Sequence, residues 1–90
     1  MKAIMKKPGE GFDLVEIPNT LKALQSAVGG YIEVITLADD LAVVCNEEGR
    51  LRGLPYNMTI NEISLCGTIL IVGVDGEDFT DVPVPEGFLS

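Results

Sequence analysis

The sequence has no histidine and no tryptophan, only two cysteines, and six basic side chains against fourteen acidic ones. Without histidine there is no serine or cysteine triad with an imidazole base, and no histidine-ligated zinc or haem. Two cysteines cannot complete a structural zinc site alone. A net charge of −8 without a basic stripe opposes the approach of a polyphosphate, so direct nucleic-acid binding is not expected. No apolar run is long enough to span a membrane, and "MKAIMKKPGE" lacks the apolar stretch of a signal peptide, which makes a cytoplasmic location the expectation. The thiols of Cys45 and Cys66, each inside an apolar stretch, then read as reduced core residues.

The glycines exclude a further class. "GEGF" and "VGGY" lack the lysine, the serine or threonine and the following helix of a triphosphate cradle, and "DGED" lacks the spacing of a calcium loop. Carboxylate chemistry with Glu47 or Asp75 as base is what remains of catalysis, and acids at a turn are normally exposed and unperturbed. The chain is therefore read as a non-enzyme, with no catalytic residue, metal site or cofactor.

What is present is an apolar chain of 90 residues, 47% hydrophobic and 22% charged, too apolar for a disordered tail. It reads as one domain, residues 1–90. A domain this small buries only about 60% of its unfolded surface, so a homo-oligomer that adds to the core is expected. In "PNTLKALQSAVGG", Asn19 or Thr20 caps a helix, Leu21, Leu24 and Val28 recur at helical spacing, and Gly29 with Gly30 stops it. "KAIMKK" is a short alternating segment that reads as a strand before the "PGEG" turn. The β-branched and apolar runs near 12–17, 31–37, 41–46, 67–74 and 77–82 read as strands, with Asp75-Gly76 as a two-residue hairpin loop. The prolines at 83 and 85 confine the tail to an edge or a loop. The fold class is α+β: one amphipathic helix, residues 19–28, on a mainly antiparallel sheet of about five to six strands.

"CNEEGRLRGLPYN", residues 45–57, places two arginines two apart in an acidic chain. Glu47-Glu48-Gly49 reads as a tight turn with Gly49 at positive φ, joining the strand at 41–46 to another at 50–54. That register pairs Asn46 with Arg50 and Val44 with Arg52. It puts Val44, Asn46, Arg50, Arg52 and Leu54 on one face, Cys45 and Leu51 on the other. "YNMTINEIS" reads as extended or singly turned.

The segments "LVEIPNTLKALQSAVGGYIEVI", "LAVVCNEEGRLRGLPYN" and "GTILIVG" together resemble a small family of unknown function carried by bacteriophages and plasmids, and the resemblance spans nearly the whole chain. It implies a mobile-element accessory protein in the bacterial cytoplasm, of the kind that opposes host defence, and it transfers no catalytic residue. Two mechanisms fit that context. One is an oligomeric sponge that sequesters a nucleotide-derived signal. The other is an acidic inhibitor of a host defence nuclease, acting as a nucleic-acid mimic in an anti-CRISPR-like manner. A structural or regulatory interaction module is a third reading.

For the sponge, Arg50 and Arg52 offer donor forks for phosphate oxygens, Asn46 and Asn57 can read a base or ribose edge, and Tyr31 or Tyr56 can stack on a ring. The plain alternative is that the arginines pair with Glu33, Glu47 or Glu48 as surface ion pairs, each contributing up to about 1 kcal/mol. For the inhibitor, residues 1–52 hold six bases against eight acids, a balance of −2, while residues 53–90 hold six acids and no base. "DGEDFTD" with Asp39, Asp40, Glu47 and Glu48 would be its carboxylate surface. The expected partner is thus a small nucleotide-like ligand or a host defence protein.

Overall fold

A computed structural model describes residues 1–83. The chain runs β1 (Lys2–Lys6), β2 (Phe12–Glu16), α1 (Leu21–Val28), β3 (Ile32–Ala38), β4 (Leu41–Asn46), β5 (Tyr56–Ile60), β6 (Ile63–Cys66), β7 (Ile69–Asp75) and β8 (Asp78–Thr80). Every pairing is antiparallel. The main sheet has the order β2-β1-β7-β4-β3, with β8 continuing the line of β1 beside the second half of β7, and β5 and β6 form a separate hairpin. This is the α+β architecture that the hydrophobic periodicity predicts, with one helix on a six-stranded antiparallel sheet.

β4 and β7 are central because both of their faces are apolar, and strand side chains alternate between faces. Ala42, Val44, Leu70 and Val72 turn to one face, where Leu24 and Val28 of α1 and Ala3 of β1 complete a core. Val43, Cys45 and Ile69 turn to the other, where Leu65 of β6 meets them, with Met58 and Ile60 of β5 packed alongside. The β5–β6 hairpin thus covers the face that one helix would have left open. The chain supplies its own cover on both faces of the sheet.

The helix forms where its caps permit. The Thr20 hydroxyl accepts the Ala23 N–H at 3.2 Å, and Gly29, at φ 80°, donates back to the Gln25 carbonyl at 2.8 Å. Leu24 and Val28 are buried, whereas Leu21 stays exposed at the first turn. Asn19 ties this end of the helix to β8 by donating to the Phe79 carbonyl at 2.8 Å.

Two sequence expectations are corrected. The strand at 50–54 does not exist: residues 47–53 wind through successive turns, with Arg52 N–H donating to Glu48 O at 2.8 Å and Leu54 N–H to Gly49 O at 2.9 Å. The reason is lateral space, since β3 and β7 occupy both sides of β4 and leave no edge for a further strand. The β7–β8 loop is Gly76-Glu77, flanked by the pair Asp75↔Asp78, so only Gly76 needs positive φ (64°). Of the two readings of "YNMTINEIS", extended or singly turned, the second holds, as a hairpin. Its turn residues Asn61 and Glu62 both adopt left-handed φ (49° and 67°), and glutamate there is not a recognised turn signal. At the tail, β8 ends at Thr80, before Pro83, and Pro85 lies outside the described residues.

Gly49 is required for a reason other than the expected one. It has no positive φ, but a Cβ at this position would sit 2.6 Å from the Cys66 carbonyl oxygen, where the 47–53 turn crosses the end of β6. Gly49→Ala is expected to cost about 1–3 kcal/mol, because the obstructing atom is backbone. Urea unfolding with an unchanged midpoint would show that the turn can move aside freely.

Candidate functional site

The arginine-bearing turn packs against the end of the helix. Helix C-termini carry unpaired carbonyls and the negative end of the macrodipole. Here two side chains answer them: Asn46 Nδ2 donates to Val28 O at 3.1 Å and Arg52 Nη1 to Gly29 O at 2.9 Å. Asn46, only 5% exposed, also accepts the Glu48 N–H at 2.8 Å through Oδ1, which fixes the start of the turn. Both side chains can approach because residue 30 is glycine; a Cβ there would lie 2.9 Å from Asn46 Nδ2 and 3.1 Å from Arg52 Nη1. Gly29 is thus needed for its φ and Gly30 for its missing side chain.

Arg50 points to a different place. It borders a cleft of about 540 Å³ on the hairpin side of the sheet, whereas Arg52 borders a shallower depression of about 290 Å³ beside the helix end. The shared face expected for the two arginines is therefore absent, as the strand that would have aligned them is a turn. Leu51, expected on the opposite face from Arg50, lines the same cleft, and so does Cys45.

The six candidate residues divide among three locations. Tyr31, Asn46 and Arg52 line the depression, joined by Gln25 and Glu48. Asn46 and Arg50 line the cleft. Tyr56 and Asn57 lie outside both. The Tyr56 hydroxyl is 2.7 Å from Thr59 Oγ1. Asn57 is a buried clasp: Nδ2 donates to the Lys6 and Gly67 carbonyls, both at 2.8 Å, and Oδ1 accepts from Lys6 Nζ at 2.9 Å. Its amide joins the end of β1, the start of β5 and the bend before β7, a structural use that fills its hydrogen-bonding capacity on both sides.

The cleft also gathers residues that sequence reasoning did not assign to a site. Ile35, Leu51, Ile63 and Leu65 give it apolar walls, Ser64 offers a hydroxyl, and Glu33 and Glu47 place two carboxylates near Arg50. Both cysteines reach it. Burial, reinforced by the Glu33 carboxylate, pushes the Cys45 thiol up to about 11, so it is neutral at ordinary pH, a weak nucleophile and a weak metal ligand. Among the described residues no group of three or more histidine, cysteine or acidic side chains is placed to hold a metal ion, and no helix is long and apolar enough to cross a membrane.

The acidic residues are sorted by the topology. Asp39 and Asp40 in the β3–β4 turn lie beside the β7–β8 turn, since Val74 N–H donates to Asp40 O at 2.9 Å. Asp75, Glu77 and Asp78 belong to the same end of the sheet. Glu47 and Glu48 are at the opposite end, with the arginines, so the set of acids that could act as one mimic surface loses these two.

Comparison with known proteins agrees with the uncharacterised character of the motifs. The chain belongs to the DUF3846 family. That family, described as a domain of unknown function, matches residues 1–86. No curated protein and no solved structure matches the chain. The functional reading of this DUF3846 chain therefore rests on its own geometry.

Two predictions follow from that geometry. Asn46→Ala leaves buried partners unanswered at the helix end and is expected to cost about 2–3 kcal/mol, and Arg52→Ala, more exposed, about 1 kcal/mol, both read from urea midpoints. Neither loss should depend on any ligand. The second concerns alkaline pH. Because the folded Cys45 thiol titrates near 11 rather than at its ordinary 9.0, the folded state holds the proton more tightly, so its contribution is complete below about pH 9 and is lost as pH rises through 11. Stability should fall across that window with a smaller slope in Cys45→Ala; equal slopes would refute the assignment.

Proposed function

We propose that the protein is a binding module, not a catalyst, that sequesters a small nucleotide-derived ligand in the cleft beside Arg50, as a cytoplasmic accessory protein of a mobile element acting against host defence. The observation that carries this reading is the cleft itself. Its volume of about 540 Å³ falls within the range of small-molecule sites, roughly 300–1,000 Å³, and it combines apolar walls with a few polar groups. Arg50 supplies a planar fork for one phosphate or carboxylate, Ile35 and Ile63 flank the space for a ring, and Ser64, Glu33 and Glu47 can meet ribose hydroxyls or exocyclic amines. One guanidinium beside two carboxylates favours a ligand of low negative charge with several donors over a polyphosphate.

A second reading has its own observation. Asp39, Asp40, Asp75, Glu77 and Asp78 gather at the end of the sheet remote from the arginines, a surface that could engage a basic patch of a host protein.

Calorimetric titration with nucleosides, mononucleotides, cyclic dinucleotides and ADP-ribose derivatives tests the first reading. Arg50→Ala is expected to weaken the bound compound by about 10- to 100-fold, the loss of one charge-assisted contact, while the urea midpoint stays unchanged. Arg52→Ala is the poorer probe, since its helix-end contact confounds binding with stability. Absence of heat for every compound would overturn the sequestration reading. Host-protein binding weakened by neutralising Asp75, Glu77 and Asp78, yet insensitive to Arg50→Ala, would establish the second.

A further inference from the structure

The two outer strands of the main sheet are unequal. β2 carries two carboxylates, Asp13 and Glu16, in five residues, whereas β3 carries only Glu33 in seven. Sheet edges are normally guarded by charge, proline or bulges against pairing with another strand. β3 has no proline, and its one irregularity comes after Thr36, which leaves Ile32–Thr36 regular.

The direction of its free backbone groups can be read from the ladder. Glu47 N–H donates to Tyr31 O at 2.8 Å, and antiparallel bonding alternates residue by residue. Glu33 and Ile35 therefore bond toward β4, opposite Cys45 and Val43, while Ile32, Val34 and Thr36 turn their N–H and C=O groups to the open side. Among the described residues no strand pairs there.

We propose that this edge docks a second copy of the chain, β3 against β3 in antiparallel register about a twofold axis at Val34. Val34 is 45% exposed, on the helix side, and at the axis it meets its own copy. Ile32 then faces the second copy's Thr36, and Glu33 faces the second copy's Ile35 rather than another carboxylate. Charge selects the same orientation. β3 runs from the arginine-bearing end of the molecule to the acidic end, so antiparallel pairing sets the second copy's acidic end, with its Asp39 and Asp40, toward the end that carries the arginines. Parallel pairing would bring acidic end to acidic end.

The docking also completes the cleft. Glu33 and Ile35 form its border on the edge strand, and beyond them the site is open. The second copy's Ile35, placed across from Glu33 on the same face, supplies an apolar wall there and makes the site composite, with two equivalent clefts related by the axis. The pairing itself does not depend on the ligand reading, because it is measured on the protein alone.

Light scattering over a concentration series is expected to show mass rising from 9.6 kDa toward twice that value. Val34→Lys sets like charges opposite each other at the axis, and Val34→Pro removes an outward N–H without touching the β4 ladder. Both should hold the mass at 9.6 kDa with an unchanged far-ultraviolet spectrum, while Leu14→Lys on β2 leaves dimerisation intact. Register is checked separately by Val34→Cys in a Cys66→Ser background. Directly paired residues sit about 5.5 Å apart at Cα, within disulfide reach, so oxidation should yield a covalent dimer. A wild-type mass fixed at 9.6 kDa, a dimer that survives both Val34 variants, a dimer lost on Leu14→Lys, or a Val34→Cys protein that stays monomeric on oxidation would each overturn the proposal.

Discussion

The antiparallel pair β4–β7 is the constraint on which the remaining structure depends. Val43, Val44, Ile69, Leu70 and Val72 are all fully buried, so this ladder must be covered on both faces and flanked on both sides. α1 covers one face and the β5–β6 hairpin the other, while β1 and β3 complete the sides. A side chain of this size that loses its cover exposes apolar surface worth roughly 1.5–3 kcal/mol, a large share of what a 90-residue domain has in total. The same constraint places the cleft. It lies where the hairpin leaves the sheet, between the turn after β4 and the strand β6, because that turn cannot extend as a strand beside an already flanked β4.

Legibility of the fold in the sequence tracks how locally each element is specified. The helix was readable at both ends because Thr20 and Gly29 act within one turn of themselves. β4 and β7 were readable because burial on two faces writes a continuous apolar run. The stretch at 50–54 was misread because the fact that excludes a strand, the occupation of both sides of β4, involves residues far away in sequence. The Asn61-Glu62 turn was readable only as one of two alternatives for its stretch, because its glutamate adopts a backbone conformation held by the flanking pairing Ile60↔Ile63, and composition carries no sign of it.

The candidate site was partly legible, and unevenly by residue type. Polar residues in an apolar setting were rightly singled out, since Asn46 and Asn57 are the two buried polar side chains among the described residues. Their use was less visible. An asparagine amide has both donors and an acceptor, and backbone carbonyls at a helix end or a strand bend engage those groups as readily as a ligand would. Ile35, Ile63 and Ser64 were not legible as cleft residues, because hydrophobic or small residues on strands look the same whether they face a core or an opening.

The arginine end of the molecule is less electropositive than its composition suggests, and the helix explains why. Arg52 is bonded to Gly29 O, at the negative pole of α1, with Glu48 beside the same depression, so much of its field is met within the protein. Arg50 has no such neighbouring helix end, but it shares its cleft with Glu33 and Glu47. The two guanidinium groups, close in sequence, are therefore separated by function: one completes the backbone hydrogen bonding of the helix, and the other is left to the cleft. On the proposed sequestration reading, an anionic ligand group would compete with two carboxylates for a single fork, so selectivity would come from the apolar walls and hydrogen-bonding edges around Arg50 more than from net attraction.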